Sequence, residues 1–185
     1  MKIAVIGATG LVGESLCTIL ADKLPNATLQ LYGNKSVGTK VCYQGKKYTI
    51  LPAESVLDNL PDVAMFMANA DVAKQLVPQL ASKGVVCIDN SSHFRLHSNV
   101  PLVVPTINGH TIGKSKIIAN PNCTTIQVAM ALNCLKPLQP KRVTVATYQA
   151  VAAPGGKVCW TCCKTALLAK QRHFCTPLQT TFCRL

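Results

Sequence analysis

Four short stretches of the chain are apolar almost without interruption: "KIAVIG" from Lys2, "ATLQLYG" from Ala27, "DVAMFMA" from Asp62 and "GVVCIDN" from Gly84. Unbroken runs of this length predict parallel strands buried on both faces, because a sheet with one wet face would alternate apolar and polar positions instead. Between the runs, apolar positions fall three to four apart. Leu11, Leu16, Ile19 and Leu20 predict a helix that ends near Pro25. "DVAKQLVPQLASK" predicts a second, with Leu76 and Leu80 on one face and Pro78 a source of distortion. Strands alternating with helices specify a doubly wound α/β sheet. A third helical pattern, "CTTIQVAMALNCL", starts at Cys123 and carries Ile126, Ala129, Met130 and Leu135. No internal repeat and no low-complexity linker breaks the pattern.

The first strand runs directly into "GATGLVG", which opens the first helix. Gly7, Gly10 and Gly13 therefore sit at a strand-to-helix turn. Small residues there let the backbone approach a pyrophosphate, and the helix start supplies free N–H groups and the positive end of its dipole. The spacing is G-x-x-G-x-x-G, and its context carries more weight than the glycines alone. After the second strand comes "LYGNKSVGTK", with no acid to bind an adenosine ribose. Lys35 and Ser36 supply a cation and a hydroxyl, which suits a 2′-phosphate and favours NADP over NAD. The same lysine reads almost as readily as a solvated loop residue.

Cys123 follows Asn-Pro-Asn. Pro121 holds Asn120 extended, Asn122 is a good N-cap, and Cys123 then lies in the first helical turn, where the dipole stabilises a thiolate. That is the setting a nucleophilic cysteine requires. A lone cysteine also reads as an inert core residue, and local context leaves the two readings level.

Composition narrows the picture. The formal charge is +12, yet no dense Lys/Arg run exists, and all seven acids lie at or before Asp89. The basicity is a shortage of carboxylates, which fits a pocket for phosphate-bearing small molecules better than a nucleic-acid face. No run approaches a membrane span, and the glycines break any leader-like stretch at the start, so a soluble cytoplasmic protein is expected. Cys17, Cys42, Cys87, Cys123 and Cys134 are spread singly through apolar segments, the pattern of reduced, buried thiols.

Taken in order, "GATGLVG", "GVVCIDNSSHFRL", "VPLVVPTIN", "IIANPNCTTIQ" and "KRVTVATYQAV" resemble the successive motifs of aspartate-semialdehyde dehydrogenase. The resemblance runs from Lys2 to about Val151. It implies a Rossmann-like NADP-binding domain over 1–118 and the beginning of an incomplete α+β catalytic domain over 119–151, with the family a homodimer. It implies that Cys123 attacks aspartyl phosphate to form a thioester, which NADPH reduces to aspartate semialdehyde on the route to lysine, threonine and methionine. Gly7, Thr9, Gly10, Leu11, Val12 and Gly13 would line the dinucleotide, and Lys35 and Ser36 would meet its 2′-phosphate. Lys35 stands where the family has arginine, a point charge in place of a fork. Arg95 would hold the phosphate group, while Asn122 and Gln149 would orient the substrate. Arg95 also reads as a structural ion-pair residue and Gln149 as a strand cap. Thr106 departs from an expected glutamate, and His93 and His97 are given no role.

After Val151 the family pattern stops. Residues 152–185 hold five cysteines, five Lys/Arg, the only tryptophan and no acid. A zinc site built on Cys159, Cys162, Cys163, His173, Cys175 and Cys183 offers only one C-x-x-C pair. A shifted reading frame explains more: read from the third base of the Val151 codon, the possible codons permit the missing Ser-Gly-Ala-Gly-Arg. The expectation is an aberrant tail, loss of the family's catalytic histidine and substrate arginine, and little or no turnover. The non-catalytic alternative is an NADP-binding remnant.

Overall fold

The structure, a computed structural model, describes residues 1–146. Six parallel strands form one sheet: β1 (Lys2–Ile6), β2 (Thr28–Gly33), β5 (Leu51–Pro52), β6 (Val63–Phe66), β7 (Val86–Asp89) and β8 (Ile117–Ala119). Their order is β5-β2-β1-β6-β7-β8. The chain runs outward from β1 in one direction and then returns to start again on its other side. That reversal opens a crevice at the carboxyl ends of β1 and β6, the place where open α/β sheets bind ligands.

The expected strands all form, and their unbroken apolar character has a direct cause. Ile3 and Val5 of β1 pack with Cys17, Leu20, Leu29 and Leu31 on the face covered by α1 (Leu11–Lys23). Ala4 and Ile6 pack with Phe66, Leu76, Val77 and Leu80 on the face covered by α2 (Ala70–Ser82). Alternate side chains point to opposite faces, and here both faces are dry. In α1 the face toward the sheet consists of Gly13, Cys17, Leu20 and Ala21, while Leu11 and Ile19 are 63% and 56% exposed. Close approach of the helix at Gly13 turns small residues inward and leaves those two apolar side chains outside. α2 runs through Pro78 to Ser82 and buries Leu76 and Leu80 as expected.

Two features lack an apolar run and escape the pattern. β3 (Lys40–Tyr43) and β4 (Lys46–Thr49) form a separate antiparallel hairpin. Its two-residue turn, Gln44–Gly45, has positive φ at both positions (49° and 74°), as a primed turn requires. A helical turn, α3 (Pro105–Asn108), precedes β8, and α4 (Cys123–Leu135) follows it. Residues 141–146, the start of the motif "KRVTVATYQAV", form no strand. The expectation of five buried thiols also needs correcting. Cys17 and Cys87 are buried, whereas Cys42, Cys123 and Cys134 are exposed, because the hairpin and α4 each present a face that nothing described covers.

Candidate active site

The glycine turn lies at the carboxyl end of β1. Gly7 has φ +87°, and a Cβ there would meet the Met67 carbonyl oxygen at 2.6 Å, at the end of the neighbouring β6. A Cβ on Gly13 would overlap the Gly7 carbonyl oxygen. Both glycines are thus demanded by the fold itself. Gly10 is different: its φ is −81°, and a Cβ would meet nothing nearer than 3.5 Å. The space in front of Gly10 is open, and it faces the start of α1, which no side chain caps. The first-turn N–H groups of Leu11, Val12 and Gly13 have no helical acceptor behind them. A cradle with an uncapped helix start and room for close backbone approach fits the pyrophosphate of a dinucleotide.

Thr9 and Ser36 share a hydrogen bond of 3.0 Å between their hydroxyls, which ties the glycine turn to the loop after β2. Lys35 beside it is exposed. The residues expected to meet the pyrophosphate and the 2′-phosphate are therefore brought together at the carboxyl ends of β1 and β2.

The second cluster lies at the ends of β7 and β8. Asn122 caps α4: its Oδ1 accepts from the Thr124 backbone N–H at 3.0 Å and from the Thr124 hydroxyl at 2.8 Å. The Cys123 thiol reaches the same oxygen at 3.6 Å. Cys123 is the first residue of α4 and is exposed. Arg95 sits on a short 3₁₀ turn, His93–Leu96, and is partly buried. Its Nε donates to the Asn120 carbonyl at 3.0 Å and its Nη2 to the Asn90 carbonyl at 2.8 Å. Burial pushes the Arg95 guanidinium below its ordinary value, while the charges of Asp89 and Cys123 push the other way. Cys123 is thus near enough to act on the Arg95 charge. Asp89 is fully buried and accepts from the Ser91 backbone N–H at 2.9 Å and from the Ser91 hydroxyl at 2.8 Å.

The ion-pair reading of Arg95 does not hold, since no carboxylate among the described residues lies within contact of it. Carbonyl oxygens hold the group instead. His93 is partly buried and packs edge-on to Phe94, with ring centres 4.6 Å apart, and His97 lies exposed beside them. Thr106 is exposed in α3. Gln149, the Val151 junction and the cysteines of the tail lie outside the described residues. Among the described residues no group of His, Cys, Asp or Glu could hold a metal ion.

Sequence reasoning passed over Asn90, Asn120 and Asp89. A signal existed: "CIDN" and "IIAN" both put asparagine immediately after a predicted strand or apolar run, and strand ends are where ligands meet a parallel sheet.

The family model described as semialdehyde dehydrogenase, NAD binding domain, matches residues 2–115. Among curated relatives, aspartate-semialdehyde dehydrogenase of Aquifex aeolicus is 41% identical over 167 residues, covering 84% of this chain and 48% of the relative. That of Campylobacter jejuni is 44% identical over 166 residues, covering 83% and 47%. A crystal structure of aspartate semialdehyde dehydrogenase II from Vibrio cholerae superposes with a TM-score of 0.84 at 34% identity, covering 95% of this chain and 56% of that one. The same enzyme complexed with ASA gives 0.78 at 36%, covering 83% and 48%. The chain spans about half the length of the curated relatives it matches.

Proposed function

The chain belongs to the semialdehyde dehydrogenase family through its NAD-binding domain, and from that premise we propose that it carries the cofactor and nucleophile half of an NADP-dependent aspartate-semialdehyde dehydrogenase. In this reading residues 1–118 bind the dinucleotide and 119–151 open the catalytic part. Leu11, Val12 and Gly13 meet the pyrophosphate through their N–H groups, with Gly10 leaving room for it, and Lys35, Ser36 and Thr9 receive the 2′-phosphate end. A nicotinamide cofactor held there would supply the hydride that reduces the thioester carbon, the C–S bond then breaking to release the aldehyde and return the Cys123 thiolate. Cys123 attacks the acyl carbon of aspartyl phosphate; the C–S bond forms as the C–O bond to phosphate breaks, leaving a thioester and free phosphate. Arg95 holds the phosphate group through donors that its carbonyl partners leave unused. Asn122 shapes the ground on which the thiol stands, and Gln149 orients the substrate. The observation that carries the reading is Arg95, hung from two backbone carbonyls near the start of α4, with no carboxylate among the described residues in contact with it and Asp89 acting on it only from beyond contact distance.

The turnover of this chain by itself is small in this reading, and α4 favours that view. Not one residue of the helix that bears Cys123 is buried. A nucleophile on a helix with no buried residue has, among the described residues, no dry pocket in which fixed dipoles act at full strength. The second reading, a remnant that binds NADP without turnover, rests on the same observation.

Thermal unfolding of the full chain with NADP separates these from nothing at all. Saturating NADP is expected to raise the melting temperature by mass action, and NADH to raise it less. No shift with NADP at a hundredfold its usual working concentration would sink both readings. Formation of NADPH from NADP, aspartate semialdehyde and phosphate, lost in Cys123→Ala, then distinguishes the enzyme from the remnant.

A further inference from the structure

We propose that Asn90 and Asn120 are positioning residues for Arg95: their side chains clasp one another, and the clasp holds the two carbonyls that fix the guanidinium near the start of α4. The inference rests on the reading of Arg95 as the phosphate-binding group.

The register of the sheet produces the clasp. β7 and β8 pair in parallel with Ile88 beside Ile118 and Asp89 beside Ala119. One step further, Asn90 and Asn120 leave the two strands side by side. The ladder continues there, with the Asn120 N–H donating to the Asp89 carbonyl at 2.8 Å, and the side chains then meet across it. Asn120 Nδ2 donates to Asn90 Oδ1 at 2.6 Å, a short bond for two neutral amides. The bond ties the two strands together at their carboxyl edge.

Arg95 depends on that edge. Its Nε and Nη2 donate to the carbonyls of these same two asparagines. Nε–H and one Nη2–H lie along one side of the planar guanidinium, so the two carbonyls must keep their separation for both bonds to form. With that side occupied, the Nη1 group and the second Nη2–H point out from the end of the fork. Among the described residues the Nη1 group has no hydrogen-bond partner and the guanidinium has no contacting carboxylate. The guanidinium is held by neutral acceptors, and the Asp89 charge acts on it only from beyond contact distance, so its outward donors stay open to an arriving oxyanion. Replacing the clasp with a surface ion pair would orient the arginine equally well, but it would neutralise it.

Alkylation of the full chain with iodoacetamide, counted at each cysteine by peptide mass, tests this with inorganic phosphate as the probe. In the parent, phosphate is expected to slow labelling of Cys123 and to leave Cys134 unchanged. Arg95→Ala should abolish that protection. Asn90→Ala and Asn120→Ala should each raise the phosphate concentration for half-protection about five- to tenfold, the effect of one well-made hydrogen bond. Their labelling of Cys134 should match the parent, which a general loosening of α4 would not allow. The double variant should be no worse than either single one, since both remove the same bond. If an alanine variant does not fold, serine at that position, too short to bridge, enters the cycle with the same expectation. Parent-like half-protection in both single variants, or additive losses in the double, overturns the clasp while leaving the phosphate role of Arg95 standing. No phosphate effect in the parent, or one that survives Arg95→Ala, overturns that role and the clasp with it.

Discussion

α2 and α4 are both thirteen residues long and both start from an asparagine N-cap, yet they stand in opposite relations to the sheet. α2 buries Ala73, Leu76, Val77 and Leu80 against it, and two of these side chains have no exposed surface at all beyond Ala73. α4 is apolar along most of its length, and none of its residues is buried; Met130 and Leu135 stay 47% and 46% exposed. Helices draw most of their stability from packing one face, and propensity alone rarely sustains thirteen residues. The dinucleotide end of the molecule is therefore rigid by construction, whereas the cysteine end is held by its cap and by the Arg95 network. The difference teaches that the cofactor cradle stands on its own core, while the nucleophile stands on a helix whose apolar residues none of the described elements buries.

The sharpest way to break that comparison is to put a methyl group into the rigid end. Gly13→Ala forces a side chain onto the Gly7 carbonyl, and both partners are backbone, so nothing flexible yields. The expected loss is about 3 kcal/mol or more by urea unfolding of the full chain. Gly10→Ala meets only the Gly7 carbonyl oxygen, at an ordinary contact distance of 3.5 Å, and should change stability by less than about 1 kcal/mol. It should nevertheless weaken NADP binding, since a methyl group there occupies the approach to the helix start. A Gly13→Ala chain as stable as the parent would show that α1 does not sit where its contacts place it.

The buried thiols sharpen the comparison through pH. Burial, with a smaller contribution from the Asp89 charge, pushes the Cys87 thiol from 9.0 up to about 12. In the unfolded chain the proton leaves near the ordinary value. Between the two the folded state therefore holds a proton that the unfolded state has lost, and stability falls as pH rises. The slope is at most about 1.4 kcal/mol per pH unit for one such group. Cys87→Ala should flatten the decline between pH 9 and 11 relative to the parent, read as the difference in urea midpoints. Cys17, pushed up to about 11 by burial, contributes in the same sense and remains in both chains. An identical slope in the variant would mean that Cys87 meets water in the folded state.

The rigid half was the more legible in sequence, and for a physical reason. A strand covered on both faces leaves an unbroken apolar run, and Ile3, Ala4, Val5 and Ile6 announce their two-sided burial directly. Gly7 and Gly13 were visible as turn glycines, but only coordinates separate them from Gly10, because the separation rests on which carbonyl lies beneath each α-carbon. The Asn122 cap and the α4 start were also readable, from Asn-Pro-Asn and the helical period. The period of α4 did not disclose that its face is uncovered, since pattern reports amphipathicity and never reports the partner. Sequence offered no ground for preferring carbonyls over a carboxylate as the holders of Arg95. Those bonds are made by backbone atoms 5 and 25 residues away, which side-chain identity does not encode.

The smallest effect is expected where the weaker helix begins. Asn122 Oδ1 satisfies the Thr124 N–H, and no buried face compensates if that bond is lost. Asn122→Ala should cost about 1 kcal/mol of helix stability. The two helices should report it differently. In α2 the matching change, Asn69→Ala, removes the bond to Val72 N–H, but packing holds the helix and its inner amides should keep their exchange protection. In α4 the loss should spread along the helix, because local opening already lies near the low end of the stability range. Hydrogen exchange of the full chain measures both: about a fivefold faster exchange throughout α4 in Asn122→Ala, against acceleration confined to the first turn of α2 in Asn69→Ala. Equal, local responses in the two helices would mean that α4 is as firmly seated as α2, and the contrast between the two ends of the molecule would disappear.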